Sequence, residues 1–188
     1  MGQSVTALVD RGQAGGHQRR MQVALKPHPQ TPPQPVWAID VRLEREGAIL
    51  WLRFTVDGEV NELEWPLEQP PGRSDELWKH TCFEVFVRTP GGYVEYNLSP
   101  SSRWATYRFD GYREGMREAD EVATVLGLDF ASDMGALEAN IELPPGAEML
   151  ALSAVIQAED GQKSYWALAH PSDKPDFHHP QSFVLELP

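Results

Sequence analysis

The chain has 188 residues, a formal net charge of −12, 41% hydrophobic residues and one cysteine. That length suits a single domain with a core large enough to need no covalent staple, and the acidic balance argues against nucleic acid or anionic membranes as partners, since both reward a basic surface. The lone Cys82 excludes an intrachain disulfide and a CxxC redox pair, and no apolar run reaches the roughly 18 residues of a membrane span.

Residues 1–20 are polar, include Gly15, Gly16, His17, Arg19 and Arg20, and lack the apolar stretch of a signal peptide. They read as a disordered extension, or as a segment preceding a natural start at Met21. Residues 21–188 read as one domain, expected in the cytoplasm. Pro27, Pro29, Pro32, Pro33 and Pro35 mark extended chain. Beyond them, apolar residues recur with period two, the signature of strands. Residues 36–44 place Trp37, Ile39, Val41 and Leu43 on one face, and residues 48–56 do the same with Leu50, Leu52, Phe54 and Val56. Glu46-Gly47 supplies the turn between them. A short strand is predicted over 60–65, with Leu63 and Trp65 inward.

Gln69 to Asp75 is a cluster of breakers and reads as a loop. Strands follow at 81–88, 93–98 and 103–109. Residues 111–120 are charged and aperiodic, either loop or short helix. Further strands are predicted at 137–143, 149–157, 164–170 and 182–187. Many short strands, no long amphipathic helix, and 16 prolines with 15 glycines spread along the chain predict an all-β fold. The expected form is a two-sheet antiparallel β-sandwich, jelly-roll or immunoglobulin-like.

Thr89-Pro90-Gly91-Gly92 predicts a hairpin with Glu84 opposite Asn97, Phe86 opposite Glu95 and Arg88 opposite Tyr93. Phe83, Val85, Val87, Val94, Tyr96 and Leu98 then form the core face. If the turn at Ser99 to Ser102 keeps parity, Asn97 faces Trp104 on the next strand. Glu84, Asn97 and Trp104 would then lie side by side on the other face. Carboxylate and amide groups bond hydroxyls directionally, and an indole offers a flat platform for a sugar ring. The same face also reads as a solvated sheet surface with ordinary cross-strand pairs.

Other candidates carry less. His178 and His179 are adjacent, which suits loop residues better than two ligands of one ion. His80 and Cys82 share parity, yet an inert cysteine is the simpler reading. An acid–base pair of His80 and Glu84 is the enzymatic alternative. Asp129, Asp133, Asp173 and Asp176 follow no calcium-loop spacing, so a structural calcium rests on sandwich loops alone. Trp78 and Trp166 either pack or line a ligand mouth.

Trp78 with Glu84-Val85-Phe86-Val87, then Tyr93, Glu95, Asn97 and Pro100 in the next strand, resemble the paired strand motifs of the DOMON-like superfamily. The likeness is in particular to its family 9 carbohydrate-binding modules. Phe177-His178-His179-Pro180-Gln181-Ser182-Phe183 is similar to the closing segment of that family, and Ser99 to Met116 resembles a bacterial subgroup. The resemblance spans about residues 23–187. It implies a jelly-roll-like sandwich with a non-catalytic binding role, for a sugar or, in other branches, haem. It maps family site positions onto Trp78, Glu84, Asn97, Arg103 and Trp166. Together, residues and resemblance predict a non-enzymatic, carbohydrate-type binding domain with ligand contacts from Trp78, Glu84, Asn97, Arg103, Trp104 and Trp166. No nucleic acid, membrane or metal is expected. Haem binding or protein interaction through exposed strand edges are the alternatives.

Overall fold

The computed structural model describes residues 20–33 and 35–188. The expected extension therefore lies outside the described residues, except for Arg20, which opens the first strand. β1 (Arg20–Pro27), β2 (Val36–Glu46) and β3 (Ile49–Gly58) alternate buried and exposed positions, with Ile39, Val41, Leu43, Leu50, Leu52, Phe54 and Val56 inward. The β2–β3 hairpin turns at Gly47, whose φ of +61° is one that glycine adopts without steric cost.

The predicted strand over 60–65 is instead a 3₁₀ turn, Val60–Glu62, followed by a single bridge from Leu63 to Ala158. Its buried residues Val60 and Leu63 are three apart, the spacing of one 3₁₀ turn.

β5 (Cys82–Thr89), β6 (Gly92–Leu98) and β7 (Arg103–Phe109) form an antiparallel meander. The hairpin register is the expected one: Glu84 pairs with Asn97, Phe86 with Glu95 and Arg88 with Tyr93. The second turn differs. Ser99 N–H donates to the Arg103 carbonyl at 2.9 Å, leaving a three-residue loop with Ser102 at φ +70°. A turn closed by a left-handed residue inserts one position, so Leu98 pairs with Trp104 and Asn97 with Ala105. Trp104 thus moves to the core side, because a one-residue slip reverses every side chain of a strand.

β9 (Ala123–Phe130) and β10 (Met134–Glu142) form a further hairpin. β9 escapes sequence periodicity because Leu126 is an extra residue: Glu138 pairs with Gly127 and Ala139 with Val125. Such a bulge breaks period two. β11 (Met149–Gln157) lies against β5, and β12 (Lys163–Ala167) against β11. Three two-residue strands complete the fold: β4 (Gly72–Arg73), parallel to β7; β8 (Arg117–Glu118), beside β7; and β13 (Leu185–Glu186), beside β11. The aperiodic 111–120 segment is therefore mostly loop.

The all-β expectation holds, and no α-helix occurs among the described residues. The strands follow one hydrogen-bonded path, β4-β7-β6-β5-β11-β12-β1-β2-β3-β10-β9. β1 joins the halves, pairing with β2 through residues 20–25 and with β12 through Lys26 and Pro27. The mixed sheet curls strongly. Phe54 on β3 meets Phe83 on β5 with ring centroids 4.9 Å apart, and the Tyr96 hydroxyl on β6 donates to the Glu142 carbonyl at the end of β10. One core fills the concave side and contains the predicted face Phe83, Val85, Val87, Val94, Tyr96 and Leu98.

The other face of the meander is covered too. Phe86, Tyr93, Ala105, Tyr107 and Phe109 join Ala151, Val155, Phe177 and Phe183 in a second apolar cluster. β5 is consequently buried on both faces over most of its length. The segment after β12 supplies Phe177 and Phe183, so this face is not the solvated surface that alternation alone allows.

Candidate functional site

A cavity of about 390 Å³ opens within this second layer, a size typical of small-ligand sites. Strands supply its floor: Glu84 from β5, Glu95 from β6, Phe109 from β7, Val155 from β11 and Tyr165 from β12. Loops supply its walls. Trp78 comes from the 3₁₀ turn Leu77–Lys79, Arg113 and Met116 from the loop after β7, and Pro175, Phe177 and His178 from the segment after β12.

Two buried carboxyls dominate the chemistry. Glu84 and Glu95 are 3% and 5% exposed, and register makes them diagonal neighbours across β5 and β6. Each is held by a neutral donor: Asn97 Nδ2 donates to Glu95 Oε1 at 2.7 Å, and Ser153 Oγ lies 3.5 Å from Glu84 Oε2. Burial pushes Glu84 well above the usual carboxylate range, and the negative charge of Glu95 pushes it further. Burial likewise raises Glu95 to about 7, against the bond from Asn97 and the field of Arg113, which lower it.

His178 lies beside the pair, with Nε2 3.8 Å from Glu95 Oε2 and Nδ1 2.8 Å from the Tyr93 hydroxyl. Burial and the nearby Arg113 depress it to about 4, so its ring is neutral at physiological pH. Burial also raises the Tyr93 phenol to about 12. The backbone N–H of Arg113 donates to that same hydroxyl at 3.2 Å. Arg113 Nη2 meets Asp176 Oδ1 at 2.8 Å, and the Tyr112 hydroxyl donates to Asp176 Oδ2 at 2.6 Å. These contacts clamp the two covering loops together. The bonds from Tyr112 and Arg113 hold Asp176 below its ordinary value although its burial opposes this.

Of the six residues expected at a ligand site, Trp78 and Glu84 line the cavity. Asn97 is fully buried and supports Glu95. Trp104 lies on the core side, with the Arg73 guanidinium 5.1 Å from its ring centroid. Trp166 is 2% exposed, belongs to the core and donates to Ser164 Oγ at 2.9 Å. Alternation on β12 puts its neighbour Tyr165 in the cavity instead. Arg103 sits at the far end of β7, where its Nε donates to Gln69 Oε1 at 3.3 Å.

Glu95, Phe109, Arg113, Tyr165 and His178 are among the lining residues that sequence reasoning did not select. For Glu95 the signal was present, since it shares a face with Asn97 two positions away. For His178 the adjacent-pair argument discounted both rings, whereas only His178 turns inward. His179 instead accepts from the Gln181 N–H at 3.2 Å as the cap of a 3₁₀ turn.

The enzymatic alternative pairs His80 with Glu84, and His80 is not among the residues that line the cavity with Glu84. His80 is exposed and lies 4.0 Å from Glu64, itself exposed. Cys82 is fully buried, and burial together with Glu84 pushes its thiol well up, away from a nucleophilic thiolate. For the haem alternative, the lining histidine has its Nδ1 engaged by Tyr93 and its Nε2 3.8 Å from Glu95, and Met116 also lines the cavity. Among the described residues, no group of three or more His, Cys, Asp or Glu side chains is placed to hold a metal ion. No helix among the described residues is long and apolar enough to cross a membrane. Comparison with family models, with curated proteins and with solved structures finds no match to this chain.

Proposed function

We propose that the chain binds, rather than transforms, a small sugar-like metabolite in the cavity on the outer face of the meander. One observation carries this reading: two fixed carboxyls, Glu84 and Glu95, face a cavity walled by the rings of Trp78, Tyr165, Phe109 and Phe177. Carboxyls bond hydroxyls in fixed directions, protonated or not. Aromatic rings cover the apolar face of a sugar at little entropic cost. The curled sheet is read here as a variant of the two-sheet jelly-roll sandwich of the DOMON-like superfamily. The strand motif around Trp78, Glu84 and Asn97 supports that kinship.

Titrating mono- and oligosaccharides while following tryptophan emission tests the reading. Trp78 is the tryptophan that lines the cavity, so the response should vanish in Trp78→Phe while near-UV circular dichroism is retained. No response to any saccharide at millimolar concentration would overturn the proposal. Chemical turnover of a panel member would replace binding with acid–base catalysis by the two carboxyls, the pairing that glycoside hydrolysis uses.

A further inference from the structure

The cavity has an uneven charge balance. Glu84 and Glu95 enter it from β5 and β6, and each is held by a neutral donor, Asn97 or Ser153. The lining residue with a permanent positive charge is Arg113, and its guanidinium is already bonded to Asp176 at 2.8 Å. His178 is a weak counter-charge, 3.8 Å from Glu95 and bonded on its other nitrogen to the Tyr93 hydroxyl. Two carboxyls taken out of water without a committed cation are costly, and a ligand that brings the cation recovers that cost. The walls point the same way. Ring faces carry negative electrostatic potential and attract ammonium groups, more strongly when water is excluded, and Trp78, Tyr165 and Phe177 line this cavity. The whole chain, at −12, also draws cations toward it.

We propose that the ligand is an amino sugar, with its protonated amine between Glu84 and Glu95 and its ring against Trp78 and Tyr165. This rests on the sugar-like reading above and narrows it to cationic members. Neutral hexoses leave the acid pair without a counter-charge, and N-acetylation removes the charge that the pair recognises.

Binding of an ammonium requires the acid pair to ionise, so it releases protons and weakens as pH falls. The other titratable or charged groups around the pair are Cys82 on β5, Tyr93 on β6, Tyr107 on β7, Tyr165 on β12, Arg113 and Asp176 in the covering loops, and His178. Of these, His178, depressed to about 4, stays mostly neutral down to about pH 5 and adds little repulsion toward a cation in that range.

Calorimetric titration of the full chain with glucosamine and galactosamine, their parent hexoses and their N-acetyl derivatives is the test. It should be run in two buffers of different ionisation enthalpy. The amino sugars should bind about tenfold tighter or more than both neutral sets, with net proton release, and should weaken by a similar factor from about pH 7.5 to about pH 5. Glu84→Gln and Glu95→Gln should lose the preference for the amine while keeping the near-UV spectrum; Glu95→Gln is the safer variant, since a glutamine oxygen still accepts from Asn97.

Equal affinity for glucose and glucosamine would overturn the inference and leave the sugar site standing. Ethanolamine or spermidine binding as tightly as glucosamine would keep the ammonium and overturn the sugar. No binding by any of these probes would overturn both.

Discussion

Glu95 and His178 stand 3.8 Å apart and respond to pH in opposite senses. Burial raises Glu95 from 4.5 to about 7, so between those values the folded state holds more protons than the unfolded one, and stability falls as pH rises. His178 is depressed from 6.5 to about 4, so there the unfolded state holds more protons, and stability is lost as pH falls through that window. From pH 4.5 to 6.5 the two slopes oppose each other, and Glu84, raised like Glu95, adds to the first. His178→Gln should therefore lose stability with rising pH more steeply than the parent, and Glu95→Gln less steeply. Urea midpoints measured across this range check both, with expected differences on the order of 1–3 kcal/mol. At this scale the sequence was half legible. Period two placed Glu84, Glu95 and Asn97 on one face, but nothing local distinguishes an acid open to solvent from one buried under a distant loop.

At the scale of the element, two turns decide how the site is assembled. The β5–β6 turn keeps parity, and its pairing follows from Thr89-Pro90-Gly91-Gly92. Gly92 sits at φ +130°, and a Cβ there would stand 1.9 Å from the Phe109 carbonyl oxygen on β7. Gly92→Ala should lose roughly 2 kcal/mol or more and disturb the Phe109 wall. Gly91→Ala, with nothing within 4 Å of its Cβ, should change little. Thermal melts of the two variants make the comparison. The β6–β7 turn carries the extra residue with Ser102 at φ +70°. No glycine or asparagine announces that conformation, so Trp104 was expected on the wrong face. The Leu126 bulge hid β9 in the same way.

At the scale of the molecule, the curl of one sheet brings distant strands into a common core. Phe54 and Phe83 belong to strands five places apart along the hydrogen-bonded path and still touch. Phe54→Ala removes a fully buried ring from that junction. It should cost about 3–5 kcal/mol and lower the melting temperature by roughly 10 °C. Differential scanning calorimetry reads the effect. The same curl leaves the outer face of the meander to be covered by Phe177 and Phe183 from the end of the chain.

By itself the sequence determined the all-β character, the core face of the central hairpin and the pairing of Glu84 with Asn97. These follow from side-chain alternation and turn chemistry, which act within a few residues. Only the tertiary structure decided that the opposite face is covered, that Trp104 and Trp166 belong to the core, and that Glu95, Arg113, Tyr165 and His178 join Trp78 and Glu84 around one cavity. Those outcomes depend on a left-handed residue in a turn and on which remote segment packs over which sheet face, and neither leaves a period in the chain.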